Sequence, residues 1–138
     1  MPTASAVTPV TLTGRPAPSP PFECSWQAGG FGTAWVRAAG VLDLETSPRL
    51  RETLGQAQLD ARLVVLDVRE ITFIDTAGVH VIVDATREAR REGHRLMLVR
   101  GSAAVDRVLV LTGASSQIST FDLDPTEPAA MLHLTPTP

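Results

Sequence analysis

Ile74-Asp75-Thr76-Ala77-Gly78-Val79 sets one hydroxyl beside a carboxylate, where a strongly apolar strand pattern gives way to an amphipathic helix pattern. Polar side chains in that place have two chemical uses. Asp or Thr can cap the helix by satisfying its orphan backbone N–H groups. A threonine hydroxyl can also accept phosphate, because a helix N-terminus favours negative charge. Phosphate on Thr76 would add about −1.5 to −2 charges at pH 7 next to the Asp75 carboxylate. A partner surface fitted to a neutral hydroxyl would then meet repulsion and a desolvation cost, which suffices for an off-switch without refolding. Cap and switch are compatible roles for one turn.

The remaining candidate residues are sorted by the same question. Asp43 and Asp67 follow apolar strand patterns. Both are expected near the edge from which the Asp75 turn emerges, and that carboxyl edge is where ligands and partners dock in α/β sheets. Asp43 is read either as a strand-ending turn residue or as part of a partner surface shared with Asp75; Asp67 is read as structural. The helix after Asp75 should expose His80, Asp84, Arg87, Glu88 and Arg91, a mixed-charge solvated face. Its first turn, with Ala77, Gly78, His80 and Val81, is the expected docking patch beside Thr76. No metal site is expected, since these carboxylates are not joined by histidines at a ligand spacing. Cys24 has no histidine pattern that would make it a nucleophile. Gly101 and Gly113 are read as a turn and a helix stop. No cofactor is expected, because the glycine-rich nucleotide motifs are absent.

The elements that must hold this turn alternate between strand and helix. Phe22–Ala28 and Thr33–Leu42 read as two strands around Gly29, Gly30 and Gly32. Ser47 is expected to cap a short helix with Pro48 at its first position, where a missing N–H costs nothing. Leu63–Val68 is nearly continuous in aliphatic residues, the pattern of a strand covered on both faces. From Asp75 to Gly93, Val79, Ile82, Val83, Thr86 and Ala89 recur at helical spacing as a buried stripe. A strand Arg95–Arg100, a helix Ala103–Thr112, a short strand Ile118–Leu123 and a terminal helix Pro125–Leu134 complete the series. Such alternation predicts a compact α/β domain with a small, mixed, mostly parallel sheet and crossover helices.

Length and composition set the limits. The chain has 138 residues and 43% hydrophobic content, room for one domain with a single modest core. Residues 1–21 hold six of the eleven prolines and are expected to be a flexible tail; residues 135–138 are expected to fray, leaving a folded domain over 22–134. All twelve basic residues are arginine, yet the net charge is −3. The cluster Arg87, Arg90, Arg91 and Arg95 is interrupted by acids and lacks aromatics, so nucleic acid is not the expected partner. A single cysteine excludes an internal disulfide and suits a reducing compartment. Met1–Val7 lack the features of a secretory signal, and no apolar run approaches the roughly 20 residues that span a bilayer. The expectation is a cytoplasmic protein without membrane insertion, its oligomeric state open.

Four landmarks in order resemble the STAS domain of bacterial anti-sigma factor antagonists. They are Gly40-Val41-Leu42-Asp43; Val64-Val65-Leu66-Asp67-Val68; Phe73-Ile74-Asp75-Thr76-Ala77-Gly78; and Val105-Asp106-Arg107-Val108-Leu109 with Leu111-Thr112-Gly113. The similarity runs from Thr33 to Leu134. It implies a non-enzymatic protein that binds an anti-sigma factor serine/threonine kinase and is switched off when that kinase phosphorylates the hydroxyl after the signature aspartate, here Thr76. The partner surface implied is Asp43, Asp75, Thr76, Ala77, Gly78, His80 and Val81. Three departures stand out: threonine in place of the commoner serine, Ala77 in place of a second hydroxyl, and Val41 where glutamate is frequent. The loss of the second hydroxyl keeps an alternative in view, a constitutive STAS scaffold in a signalling or transport assembly that is not phosphorylated. A small enzyme is disfavoured, because no base–nucleophile pair, metal constellation or cofactor fingerprint is present.

Overall fold

The computed structural model describes residues 21–123. The expected Pro-rich tail, apart from Pro21, and the terminal helix Pro125–Leu134 lie outside the described residues. Among those described, the order is β1 (Glu23–Gly30), β2 (Thr33–Leu42), α1 (Ser47–Gln58), β3 (Leu63–Ile74), α2 (Thr76–Arg91), β4 (Arg95–Val99), α3 (Ala103–Leu111) and β5 (Ser119–Phe121). The five strands form one sheet in sequence order. β1 and β2 pair antiparallel, and β2, β3, β4 and β5 run parallel. The α/β domain with a mostly parallel sheet is therefore the one the alternation predicted.

Strand alternation sorts the core. Val36, Val64, Leu66, Leu96 and Leu98 point to one face and meet Leu50 and Leu54 of α1, Val79 and Ile82 of α2, and Val105 and Leu109 of α3 in one buried cluster. On the reverse face Trp35, Val65 and Val99 form a smaller buried cluster flanked by Leu63, Phe121 and Leu123. Each large aliphatic side chain so buried contributes about 1.5–3 kcal/mol of hydrophobic stabilisation. The predicted stripe Val79, Ile82, Val83, Thr86 and Ala89 is buried throughout, with the Thr86 hydroxyl donating to the Ile82 carbonyl at 2.8 Å.

Three local readings are corrected. The hairpin turn is Phe31-Gly32, both in the left-handed region, and β1 continues through Gly29 to Gly30. Gly29 makes room for the Trp35 indole, which would lie 2.1 Å from a Cβ placed there. Second, β3 is twelve residues long and does not stop at Val68. Arg69 and Glu70 interrupt its apolar run, but both are held by ion pairs on the strand: Arg69 with Asp67 at 2.9 Å, and Glu70 with Arg37 of β2. Asp67 is thus a buried mid-strand residue, not a strand end at the edge. Third, Ser47 is not the cap of α1. Thr46 occupies that position without a side-chain cap bond, and Ser47 is buried in the first turn.

Candidate functional site

β2 and β3 end together, with Leu42 opposite Ile74, so Asp43 and Asp75 are the next residues on adjacent strands. The Asp75 N–H donates to the Leu42 carbonyl at 3.1 Å, which carries the ladder one step further. Asp75 then leaves the strand with extended backbone and caps α2: its Oδ1 accepts from the Gly78 N–H at 3.1 Å. The carboxylate therefore sits against the helix start, where the partial positive charge of the backbone amides stabilises it.

Thr76 is the first residue of α2 and is exposed. Its hydroxyl makes no hydrogen bond among the described residues. Ala77 is half-buried, and His80, one turn on from Thr76, is exposed. Gly78 is buried because the first turn of α2 rests on the strand ends. A Cβ on Gly78 would lie 2.7 Å from Leu42 Cγ and 3.0 Å from Ile74 Cγ1. Glycine at this place is a close-packing requirement that holds Thr76 at the sheet edge.

Val81 does not join the docking patch. It is 2% exposed, turned into the space between α1 and α2. α2 packs on the sheet and on α1 at once, so its buried arc is wider than the stripe that faces the sheet; Gln58 of α1 donates to the Ala85 carbonyl at 3.1 Å across this contact.

Asp43 has a structural task that the sequence left open. Its Oδ1 accepts from the N–H groups of Glu45 at 3.0 Å and Thr46 at 3.1 Å, which satisfies donors at the start of α1. The Thr46 hydroxyl accepts from the Asp43 N–H at 2.9 Å and donates to the Val41 carbonyl at 2.8 Å. The loop between β2 and α1 is thereby fixed beside the Asp75 turn. Leu44 in that loop is 74% exposed, and Phe73, two residues before Asp75, is 54% exposed. Neither exposure is legible in the sequence, where only the tertiary fold decides whether an apolar residue beside a strand end is covered. At the next strand end Arg100 donates to Asp122, Asp106 and Thr120. The hydrogen bond to Asp122, with the charges of Asp122 and Asp106, raises its pKa above the ordinary arginine value.

Comparison with known proteins decides the family. The STAS domain model matches residues 29–130. The chain belongs to the STAS domain family. An anti-sigma-B factor antagonist of Listeria monocytogenes is 31% identical over 84 residues, which cover 60% of this chain and 74% of the relative. Among solved structures, an anti-sigma factor antagonist from Mycobacterium paratuberculosis shares the fold with a TM-score of 0.68 at 20% identity, covering 81% of this chain and 92% of its own. Unphosphorylated SpoIIAA, also an anti-sigma factor antagonist, matches with a TM-score of 0.63 at 20% identity over 75% of this chain and 89% of its own. The phosphorylated form of SpoIIAA matches with a TM-score of 0.59 at 19% identity, covering 75% and 92%. Among the described residues no helix is long and apolar enough to cross a membrane.

Proposed function

We propose that this STAS protein is an anti-sigma factor antagonist that binds an anti-sigma factor kinase at the Asp75–Thr76 turn and is switched off by phosphorylation of Thr76. The observation that carries the reading is the free, exposed Thr76 hydroxyl at the first position of α2, held beside the capping carboxylate of Asp75. Similarity to the Listeria antagonist supports the regulatory role, and the likeness to SpoIIAA concerns a fold known in unphosphorylated and phosphorylated forms.

The kinase supplies the chemistry. Its Mg²⁺-bound nucleotide presents the γ-phosphoryl group to Thr76 Oγ; the new Oγ–P bond forms as the bond from the γ-phosphorus to the bridging oxygen breaks. The hydroxyl proton leaves to a base of the kinase, and the nucleoside diphosphate remains on the kinase. The phosphothreonine is tolerated by this chain, because backbone amides at the helix start favour an anion. It is not tolerated in the complex, where it faces the diphosphate at short range. The unmodified protein binds and the modified protein releases. Ala77 leaves Thr76 as the single hydroxyl between Asp75 and Gly78.

The test is to incubate the protein with Mg-ATP and each anti-sigma factor kinase of its source, then map phosphate by mass spectrometry. Stoichiometric phosphate on Thr76, lost in Thr76→Ala, is the expected outcome. Binding without phosphate, and with equal affinity for Thr76→Asp, would replace the switch with a constitutive scaffold.

A further inference from the structure

Two chain segments meet at the carboxyl edge beside Thr76. Residues 40–47 and 71–80 contain Asp43, Glu45 and Asp75 but none of the chain's twelve arginines. Within them Leu44 and Phe73 are exposed, and Val41, the register partner of Phe73 on the same face of the sheet, is half-buried. The loop bonds of Asp43 and the bond from Asp75 to Leu42 fix both segments against each other. Nothing in these bonds requires Leu44 or Phe73 to be apolar. Each leaves a large apolar side chain in water beside carboxylates, the composition of an apolar contact with a charged rim.

From this we infer that Val41, Leu44 and Phe73 form the apolar anchor of the kinase interface. The occupant is the kinase surface beside its nucleotide, an apolar recess bordered by arginine or lysine that meets Asp43, Glu45 and Asp75. The inference rests on the reading of Thr76 above and adds the division of labour within that site. The anchor supplies affinity and is unchanged by phosphorylation, whereas Thr76 carries the switch. Electrostatic complementarity from the carboxylate rim speeds association and sets orientation more than it adds affinity.

The test places the photo-crosslinking residue p-benzoylphenylalanine singly at positions 44, 73, 76, 59 and 111 of the full chain in cells of its source. Leu59 and Leu111 are exposed apolar controls. The captured protein is then purified and assayed for phosphorylation of Thr76. The expected result is capture of that kinase from positions 44 and 73 and not from 59 or 111. Leu44→Ser and Phe73→Ser should each bind the purified kinase about tenfold or more weaker, with unchanged melting temperature. Capture from position 76 alone, with wild-type affinity for both serine variants, would overturn the anchor and leave the Thr76 reading standing. Capture of a second copy of this chain from 44 and 73 would overturn the kinase as occupant. Capture from 44 and 73 of a protein that does not phosphorylate Thr76 would overturn both readings.

Discussion

At the carboxyl edge of the sheet Asp43, Asp75 and Ser102 each turn a side-chain oxygen onto backbone N–H groups of the turn or helix that follows. At the opposite end the turns use positive φ: Phe31-Gly32 in the hairpin, Gly93 after α2 and Gly113 after α3. Both ends expose apolar side chains, Leu44 and Phe73 at the first and Phe31, Leu59 and Leu111 at the second. At the carboxyl edge they lie beside the exposed Thr76 hydroxyl and the carboxylates of Asp43 and Asp75. A parallel sheet with crossover helices puts helix N-termini at its carboxyl edge, and with them the amides that stabilise anions. The proposed partner site and switch lie at that end.

Substitutions at matched positions of the two ends test this contrast. The largest effect is expected for charge at the site: Thr76→Asp should cost roughly 2–5 kcal/mol of partner binding, as a desolvated unpaired charge does. Ser115→Asp, on an exposed residue after α3, should leave binding unchanged in the same calorimetric titration. Next comes packing. Gly78→Ala forces a Cβ against Leu42 and Ile74 and should destabilise the fold by about 1–3 kcal/mol. Gly55→Ala, with nothing within 4 Å of the added Cβ in the exposed part of α1, should stabilise it by about 0.5–1 kcal/mol. Urea unfolding of the pair reads both signs.

Capping effects are smaller. Asp75→Ala and Ser102→Ala each remove an N-cap acceptor and should each lower stability by about 1 kcal/mol. Only Asp75→Ala should also weaken partner binding; equal binding by the two variants would reduce Asp75 to its cap. Smallest is Leu111→Ser at the opposite end, a surface change within about 0.5 kcal/mol of neutral in stability, with no change in affinity.

What was legible in the sequence follows from how local each signal is. The α2 stripe and the Asp75 cap could be read because both depend on neighbours within one or two turns of chain. β3 reads short in the sequence because Asp67, Arg69 and Glu70 look like a strand end until Arg37 of β2 and the Asp67–Arg69 pair supply partners. Val81 reads as a surface residue because no periodicity within α2 announces α1, whose contact widens the buried arc. The start of α1 is hidden for a similar reason: the Asp43 carboxylate accepts from the Glu45 and Thr46 N–H groups and shapes the loop that ends at Thr46. Leu44 and Phe73 were silent, since only the tertiary fold tells an exposed apolar residue from a buried one.

In the proposed switch, one phosphate on Thr76 separates this protein from its partner. Isothermal titration of the anti-sigma factor kinase, loaded with nucleoside diphosphate, against the unmodified chain and against the chain stoichiometrically phosphorylated on Thr76 tests it most directly. Measurable binding of the unmodified protein is expected, with an affinity lower by on the order of a hundredfold for the phosphoprotein. Equal affinity of the two forms would contradict it.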